Sequence, residues 1–352
     1  MGALVEHYDY DLPTHLIAQR PLARRDQARM LLLHRGTGQL AHQSFSDLPR
    51  SLPGNSLLVL NNTRVPPRRL TARLPTGVRI EALLVAEEEP GRWRAMVKKA
   101  RRVKAGMEVP FADGHLTARA LERTEEGQWL LQFSEPDTFR ERLAIHGLAP
   151  LPPYIRRDIH NGYDPRADRE AYQTCYAKVE GAIAAPTAGF HFTPSLMDAL
   201  GAAGIEVAEL TLHVGPGTFA RITVADPAQH AMQSEWYEIP PRTAAAVAAA
   251  REAGRPVIAA GTTTVRALES WAAAGAPAGH SGWAGLFICP PYAFQVVDGL
   301  ITNFHLPRST LLMLVSAFHG RERLLAAYRE AIAHRYRFFS FGDCMAILPH
   351  PA

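Results

Sequence analysis

Cysteine is nearly absent from this 352-residue chain, which holds only Cys175, Cys289 and Cys344. They are far apart, odd in number and without a CxxC spacing, which argues against a disulfide framework and a structural zinc site and leaves them as small buried hydrophobes. Long apolar runs are also missing. No stretch reaches the roughly 20 residues that span a bilayer, and the opening MGALVEHYDYDLP has neither a basic start nor an apolar segment. A cytoplasmic protein without a membrane partner is expected. Strong charge is lacking too: a net charge of +4 with a pI near 9.0 permits a polyanionic partner without requiring one. Only four of the 38 basic residues are lysines, a bias that codon usage explains as readily as phosphate binding. Neither a GxGxxG fingerprint nor a GxxxxGK(S/T) loop occurs, so the usual dinucleotide and phosphate-loop signatures are excluded.

What is present describes an ordered protein. Hydrophobic residues make up 47% and charged residues 20% of the chain, and the length exceeds the usual size of one core. Between Leu70 and Phe133 short alternating runs (LTARL, VRIEALLVA, RWRAMVKKA, LTARALE, QWLLQF) are separated by PTG, EEPG, KAG, ADG and EEGQ turns, the pattern of a strand meander closing into a small antiparallel barrel. Pro66-Pro67 and the prolines around 150–153 mark its ends. Elsewhere apolar strands (LLVL, IEVAELTL, PVIAAG) alternate with amphipathic helices (PSLMDALGAAG, PRTAAAVAAAREAG, TTVRALESWAAAG, GRERLLAAYREAIA). The expected fold is therefore α/β: a three-layer, mostly parallel domain at residues 1–65 plus 152–352, interrupted by a β-barrel domain at residues 66–151. Functional loops then belong at the carboxyl ends of the parallel strands.

Several segments carry groups suited to chemistry. AAPTAGFHFT (184–193) surrounds His191 with Phe190 and Phe192, either rings for stacking beside a proton-transfer group or a core histidine between buried rings. TLHVGPGTFARI (211–222) sets Gly215 and Gly217 around Pro216, where backbone can approach a ligand; the alternative is a simple turn. VIAAGTTTVRALES (257–270) runs from a buried strand into a helix start, with Thr262 or Thr263 as a cap, free N–H groups for an anion and Arg266 one turn on. Spacing equally allows an Arg266–Glu269 pair. Within 296–318, Asn303 and His305 precede an apolar helix starting near Ser309, as pocket wall or as turn residues. MQSEWYEI offers Glu235 and RYRFFSFGDCM offers Asp343; a carboxylate beside aromatics suits a cationic ligand, though each could be a surface or capping acid. KKARRVKAG (98–106) is a basic run on the barrel, and RPLARRDQAR carries Arg20, Arg24, Arg25 and Arg29. Both suit a nucleic-acid backbone and both could be solvated faces.

Eight blocks in order (LIAQRPL, NNTRV, AAPTAGFHF, HVGPGTF, MQSEWY, GTTTVRALES, VVDGLITNFHLPRSTLLMLVSAF and RYRFFSFGD) resemble the signature of the S-adenosylmethionine:tRNA ribosyltransferase-isomerase family of queuosine biosynthesis. They span nearly the whole chain. The resemblance implies an α/β domain interrupted by a barrel. It also implies transfer of the ribosyl group of S-adenosylmethionine, with isomerisation, to the aminomethyl group of a 7-deazaguanine at the tRNA wobble position. Epoxyqueuosine forms while adenine and methionine leave. S-adenosylmethionine is then a consumed co-substrate, tRNA the partner, and no metal or redox cofactor is needed; a monomer is expected.

Such a reaction requires a base beside the sulfonium, an acid for departing adenine and a neutral amine nucleophile. The resulting candidates for proton transfer and sulfonium stabilisation are His191, His213, His305, Glu235 and Asp343. Substrate contacts are expected from Thr187, Phe190, Phe192, Gly215, Gly217, Thr262, Thr263, Arg266 and Asn303. RNA contacts are expected from Arg25, Arg29, Lys98, Lys99, Arg101, Arg102 and Lys104. The sequence departs from the family pattern at Gln233 (histidine expected), Asn62 (aspartate), Pro216 (a smaller or aliphatic residue) and Phe341 (tyrosine). Gln233 cannot exchange a proton at neutral pH. The competing readings are an S-adenosylmethionine-dependent RNA methyltransferase, whose glycine-rich motif is missing, and a non-catalytic tRNA-binding module.

Overall fold

The computed structural model describes residues 4–157, 164–219, 222 and 224–349. The chain divides into two compact units, one of residues 1–64, 153–156 and 173–352, the other of residues 65–152 and 157–172.

The first unit is built on a nine-stranded mixed sheet. At its centre Leu57–Asn61 lies parallel to Glu206–Leu212 on one side and to Val257–Ala260 on the other, and Gly299–Asn303 continues the parallel set. The next strand, Cys344–Leu348, runs antiparallel to Gly299–Asn303 but parallel to Arg29–His34. Antiparallel strands finish both edges: Leu40–Ser44 beyond Arg29–His34, and Glu235–Ile239 then His280–Ala284 beyond Glu206–Leu212. Parallel order thus holds in the middle, and the flanks bring in antiparallel pairing that the strand–helix alternation did not reveal.

LLVLN, VIAA, GLITN and CMAIL are buried along their whole length, as strands covered on both faces must be. Leu58 and Leu60 pack with Leu196 and Leu200 of helix Pro194–Ala202. Alternate residues point to the opposite face, and Leu57 and Val59, fully buried there, belong to a strand that helices Pro241–Glu252 and Thr262–Ala273 also contact. Each helix begins where its sequence permits: Thr193 and Ser309 cap theirs by accepting from Leu196 N and Leu312 N at 3.2 and 3.3 Å.

In the second unit, six strands close in the order Trp129–Phe133, Arg92–Lys98, Arg79–Glu89, Arg69–Arg73, Glu108–Phe111 and Leu116–Arg123. Alternation along Arg69–Arg73 and Arg79–Glu89 sends Leu70, Ala72, Ile80, Ala82 and Leu84 inward beside Trp93, Phe111 and Phe133. Helix Pro136–His146 adds Phe139 and Leu143 to that core. Beyond the barrel expected at residues 66–151, the unit also takes in residues 157–172, where Arg157 forks onto Asp168 at 2.8 and 2.9 Å, both side chains buried.

Candidate active site

Beyond the carboxyl ends of Val257–Ala260 and Gly299–Asn303 lies a cleft of about 590 Å³, counting its open mouth. Its walls are residues 185–188, 261–263 and 302–306 with Tyr154, Phe339 and Ser340. Open α/β sheets place ligands at this end of their strands. Gly261 makes the transition from strand to helix. Its φ of +96° belongs to glycine, and its N–H is fixed on Ile301 O at 2.7 Å. Gly261, not Thr262 or Thr263, is the N-cap of helix Thr262–Ala273, and no side chain caps it. The first N–H groups of this helix, without partners inside it, therefore open where an anionic group would sit.

Five expected residues line this cleft: Thr187, Thr262, Thr263, Asn303 and His305. Asn303 ties one of them, Thr187, to His191 and Phe339. Its Oδ1 accepts from Thr187 Oγ1 at 2.9 Å, and its Nδ2 reaches His191 Nε2 at 3.2 Å and Phe339 O at 3.3 Å. With Nδ2 donating, His191 Nε2 is the acceptor and the ring proton resides on Nδ1, which serves the Arg25 backbone. Burial pushes the His191 pKa down to about 4 despite that bond. His305 is held by Tyr328 OH, which accepts its N–H at 2.8 Å, by Tyr10 OH on its carbonyl, and by Thr302 Oγ1 2.8 Å from its Nε2. Burial lowers its pKa to about 3. Both imidazoles are neutral at pH 7.

A smaller cavity of about 240 Å³ shares Ser340 with the cleft and is lined by Arg25, Phe190, His191 and Phe341 among others. The Phe190 and Phe341 rings stack at 5.7 Å and 27°, with the Arg25 guanidinium 5.5 Å from the Phe190 centroid. The His191–Asn303 hydrogen bond links the two spaces. Phe192, expected as a stacking face, is instead core, packed edge-on against Phe45 and Tyr176.

Glu235, Arg266 and Gly215 form a separate group. Glu235 pairs with Arg266, both buried, and its Oε1 accepts Gly215 N at 2.7 Å. Arg266 also donates to Ala284 O at 2.7 Å, so its partner is not Glu269, which accepts from the N–H groups of Gln295, Val296 and Val297. His213 meets Thr63 Oγ1 at 2.8 Å through Nδ1 and stacks on Trp236 at 5.1 Å. Asp343 is also internal: it accepts from Arg29 N and Arg337 N at 2.9 and 2.8 Å and pairs with the Arg29 side chain. Neither carboxylate nor His213 lines the cleft.

Arg29, expected on RNA, is committed to Asp343, to the carbonyls of His334 and Arg335, and to the face of Tyr336. Arg25 gives Nη1 to Gln173 O at 2.6 Å. On the barrel, Lys99, Arg101, Arg102 and Lys104 are exposed around the turn Ala100–Arg102, while Lys98 pairs with Glu81 at 2.8 Å. Sequence reasoning missed Tyr154, hydrogen-bonded to Ser340 at 2.6 Å, and the Thr302, Tyr10 and Tyr328 contacts that fix His305. Ser340 sits inside the recognised RYRFFSFGD block; Tyr10 and Tyr328 carry no local signal.

Residues 5–347 match the family model described as queuosine biosynthesis protein. The chain belongs to this family. It is 48% identical over 98% of its length to the S-adenosylmethionine:tRNA ribosyltransferase-isomerase of Moorella thermoacetica, covering 99% of that protein. The Thermotoga maritima protein of the same name is 46% identical, with 98% and 99% covered. Among solved structures it is similar to the crystal structure of S-adenosylmethionine tRNA ribosyltransferase from Thermotoga maritima, at 38% identity, a TM-score of 0.56 and coverage of 97% of this chain and 100% of that one.

In this member of the queuosine-biosynthesis family, the departures from the expected pattern have visible settings. Gln233 is exposed, its side chain lies against Gly217, and it does not line the cleft. Asn62 donates to Glu209 Oε2 at 3.1 Å and accepts from Thr211 Oγ1 at 2.7 Å; an aspartate there would face Glu209 with like charge. Phe341 supplies the ring that stacks on Phe190. Pro216 opens the turn Pro216–Phe219; positions 220 and 221 of that motif lie outside the described residues.

Proposed function

We propose that the chain is an S-adenosylmethionine:tRNA ribosyltransferase-isomerase. It transfers and isomerises the ribosyl group of S-adenosylmethionine onto 7-aminomethyl-7-deazaguanine at the wobble position, forming epoxyqueuosine-tRNA with loss of adenine and methionine. The observation that carries this reading is the pair of adjoining cavities joined through His191–Asn303, in a chain that shares nearly its full length with relatives of that name. A two-substrate transfer needs two adjacent spaces. The cleft takes S-adenosylmethionine: the open start of helix Thr262–Ala273 suits its carboxylate, and Tyr154, Phe304 and Phe339 offer faces to its sulfonium. His305, neutral and fixed, does not repel that cation and stands where it can exchange a proton. The smaller cavity, with Phe190, Phe341 and Arg25, receives the tRNA base. Glu235 and Asp343 position the loops around these spaces through their ion pairs.

On this reading S-adenosylmethionine is consumed rather than retained, no resident metal or redox cofactor takes part, and the enzyme acts as a cytoplasmic monomer. No helix among the described residues is long and apolar enough to cross a membrane. The test is to incubate the purified protein with S-adenosylmethionine and tRNA bearing the aminomethyl base, then identify nucleosides and small molecules by mass spectrometry. Epoxyqueuosine, adenine and methionine together are expected; a methylated nucleoside with S-adenosylhomocysteine would overturn the reading in favour of methyl transfer.

A further inference from the structure

Away from both cavities, at the edge of the nine-stranded sheet, strand Leu40–Ser44 brings His42 against the end of helix Arg321–Ala333. Glu330, in the last turn of that helix, and His334, one turn later, face it. His42 Nε2 and His334 Nδ1 lie 3.3 and 3.0 Å from the same oxygen, Glu330 Oε1, and the three donor atoms lie within 4.8 Å of one another. Donors placed tetrahedrally at the 2.0–2.1 Å bond lengths of zinc are about 3.3 Å apart. The two imidazole centroids are only 4.5 Å apart. We propose that His42, Glu330 and His334 form a binding site for a divalent cation of the zinc class, with water completing the coordination.

The surroundings support the donor roles. Tyr336, buried, holds His42 Nδ1 through its hydroxyl at 2.8 Å. A proton on Nδ1 directed at that oxygen leaves Nε2 bare toward Glu330, the arrangement by which outer partners orient metal-binding imidazoles. His334 turns its Nδ1 inward, toward Glu330 Oε1 and the Glu330 carbonyl at 3.1 Å, so its proton belongs on the outer nitrogen when a cation is bound. The nearby Arg29 guanidinium, 4.2 Å from the Tyr336 ring centroid, is neutralised by Asp343. All three donor side chains are partly open to solvent, which gives an ion entry. Two imidazoles and one carboxylate are the donor set of borderline-soft ions, not of magnesium or calcium. A bound ion would pin the edge strand to the helix that leads into RYRFFSFGD. The site does not depend on the proposed reaction.

The test is isothermal titration of the tag-free, chelator-treated full chain with zinc chloride in a non-coordinating buffer, alongside His42→Ala, Glu330→Gln, His334→Ala and Tyr336→Phe. One equivalent is expected at micromolar affinity or better, with affinity reduced at least tenfold in the first three and roughly 10–100-fold in Tyr336→Phe. Circular dichroism checks that each variant is folded; Glu330→Gln and Tyr336→Phe retain shape, so they test the site even if a histidine variant fails. Cobalt(II) should give the visible absorption of a tetrahedral site in the wild type alone. No binding at 100 µM zinc, or equal affinity in the variants, would overturn the proposal.

Discussion

Replacing Glu235 by glutamine isolates one charge in the α/β unit. Glutamine keeps the shape and an acceptor for Gly215 N, 2.7 Å away in the native pair. It removes the one carboxylate on the buried Arg266 among the described residues, which leaves the carbonyls of Ala284 at 2.7 Å and of Gln233 and Leu286 at 3.4 Å. Breaking a buried pair by neutralising one partner costs about 3–5 kcal/mol, because the remaining charge is out of water and unmatched. For a domain of this size 1 kcal/mol moves the melting temperature by about 2–4 °C, so Glu235→Gln should melt roughly 6–20 °C lower. Adding Arg266→Met should recover most of that loss, leaving about 1 kcal/mol for the Ala284 carbonyl that loses its donor. Thermal melts followed by circular dichroism and tryptophan fluorescence read both effects. A single variant that melts within 2 °C of wild type, or a double variant less stable than the single, would refute the claim that uncompensated charge is the cost.

Asn303→Ala removes the group joining Thr187, His191 and Phe339 O. Losing the bonds to the Thr187 and His191 side chains, at about 1–1.5 kcal/mol each, predicts a roughly 30–160-fold fall in single-turnover rate; an unchanged rate would remove Asn303 from the site. Stability should also depend on the two buried histidines. Their folded pKa values, about 4 for His191 and about 3 for His305, lie below the ordinary 6.5, so their contribution is complete above pH 6.5. It is lost as pH falls from there toward 4, where the unfolded chain binds protons that the folded one refuses. Each contributes about 1.4 kcal/mol per pH unit in that window. A His191→Asn/His305→Asn double variant should show a visibly flatter decline in denaturant titrations between pH 6 and 4.5; an identical slope would contradict the assignment. On the barrel, replacing Lys99, Arg101, Arg102 and Lys104 with alanine should weaken tRNA binding and reduce the slope of log affinity against log salt by up to about 0.9 per lost phosphate contact. An unaltered slope would mean that this face does not meet RNA.

The barrel and the parallel centre of the sheet were legible because alternation and unbroken apolar runs are local properties of the chain. The antiparallel flanks were not. Glu235–Ile239 reads as EWYEI and Cys344–Leu348 as CMAIL, five residues each, too short for periodicity to state a direction or a neighbour. The site divides along the same line. Thr187, Thr262, Thr263, Asn303 and His305 stand at strand ends or in turns leading into helices, positions that the sequence marks directly, and they meet in the cleft. The charges of Glu235 and Asp343 looked available because each stands beside aromatics, but their partners are remote. Arg266 is 31 positions from Glu235 and Arg29 is 314 from Asp343, pairings that only the order of strands creates. This changes the expected chemistry. The cleft walls carry no carboxylate among the described residues, so a sulfonium placed there, as proposed, would meet aromatic, hydroxyl and carbonyl groups and a neutral imidazole instead of a counter-ion. On the proposed reading, a cation held that way would be stabilised less than by an ion pair, which would keep the carbon beside sulfur acidic enough for a weak base to deprotonate.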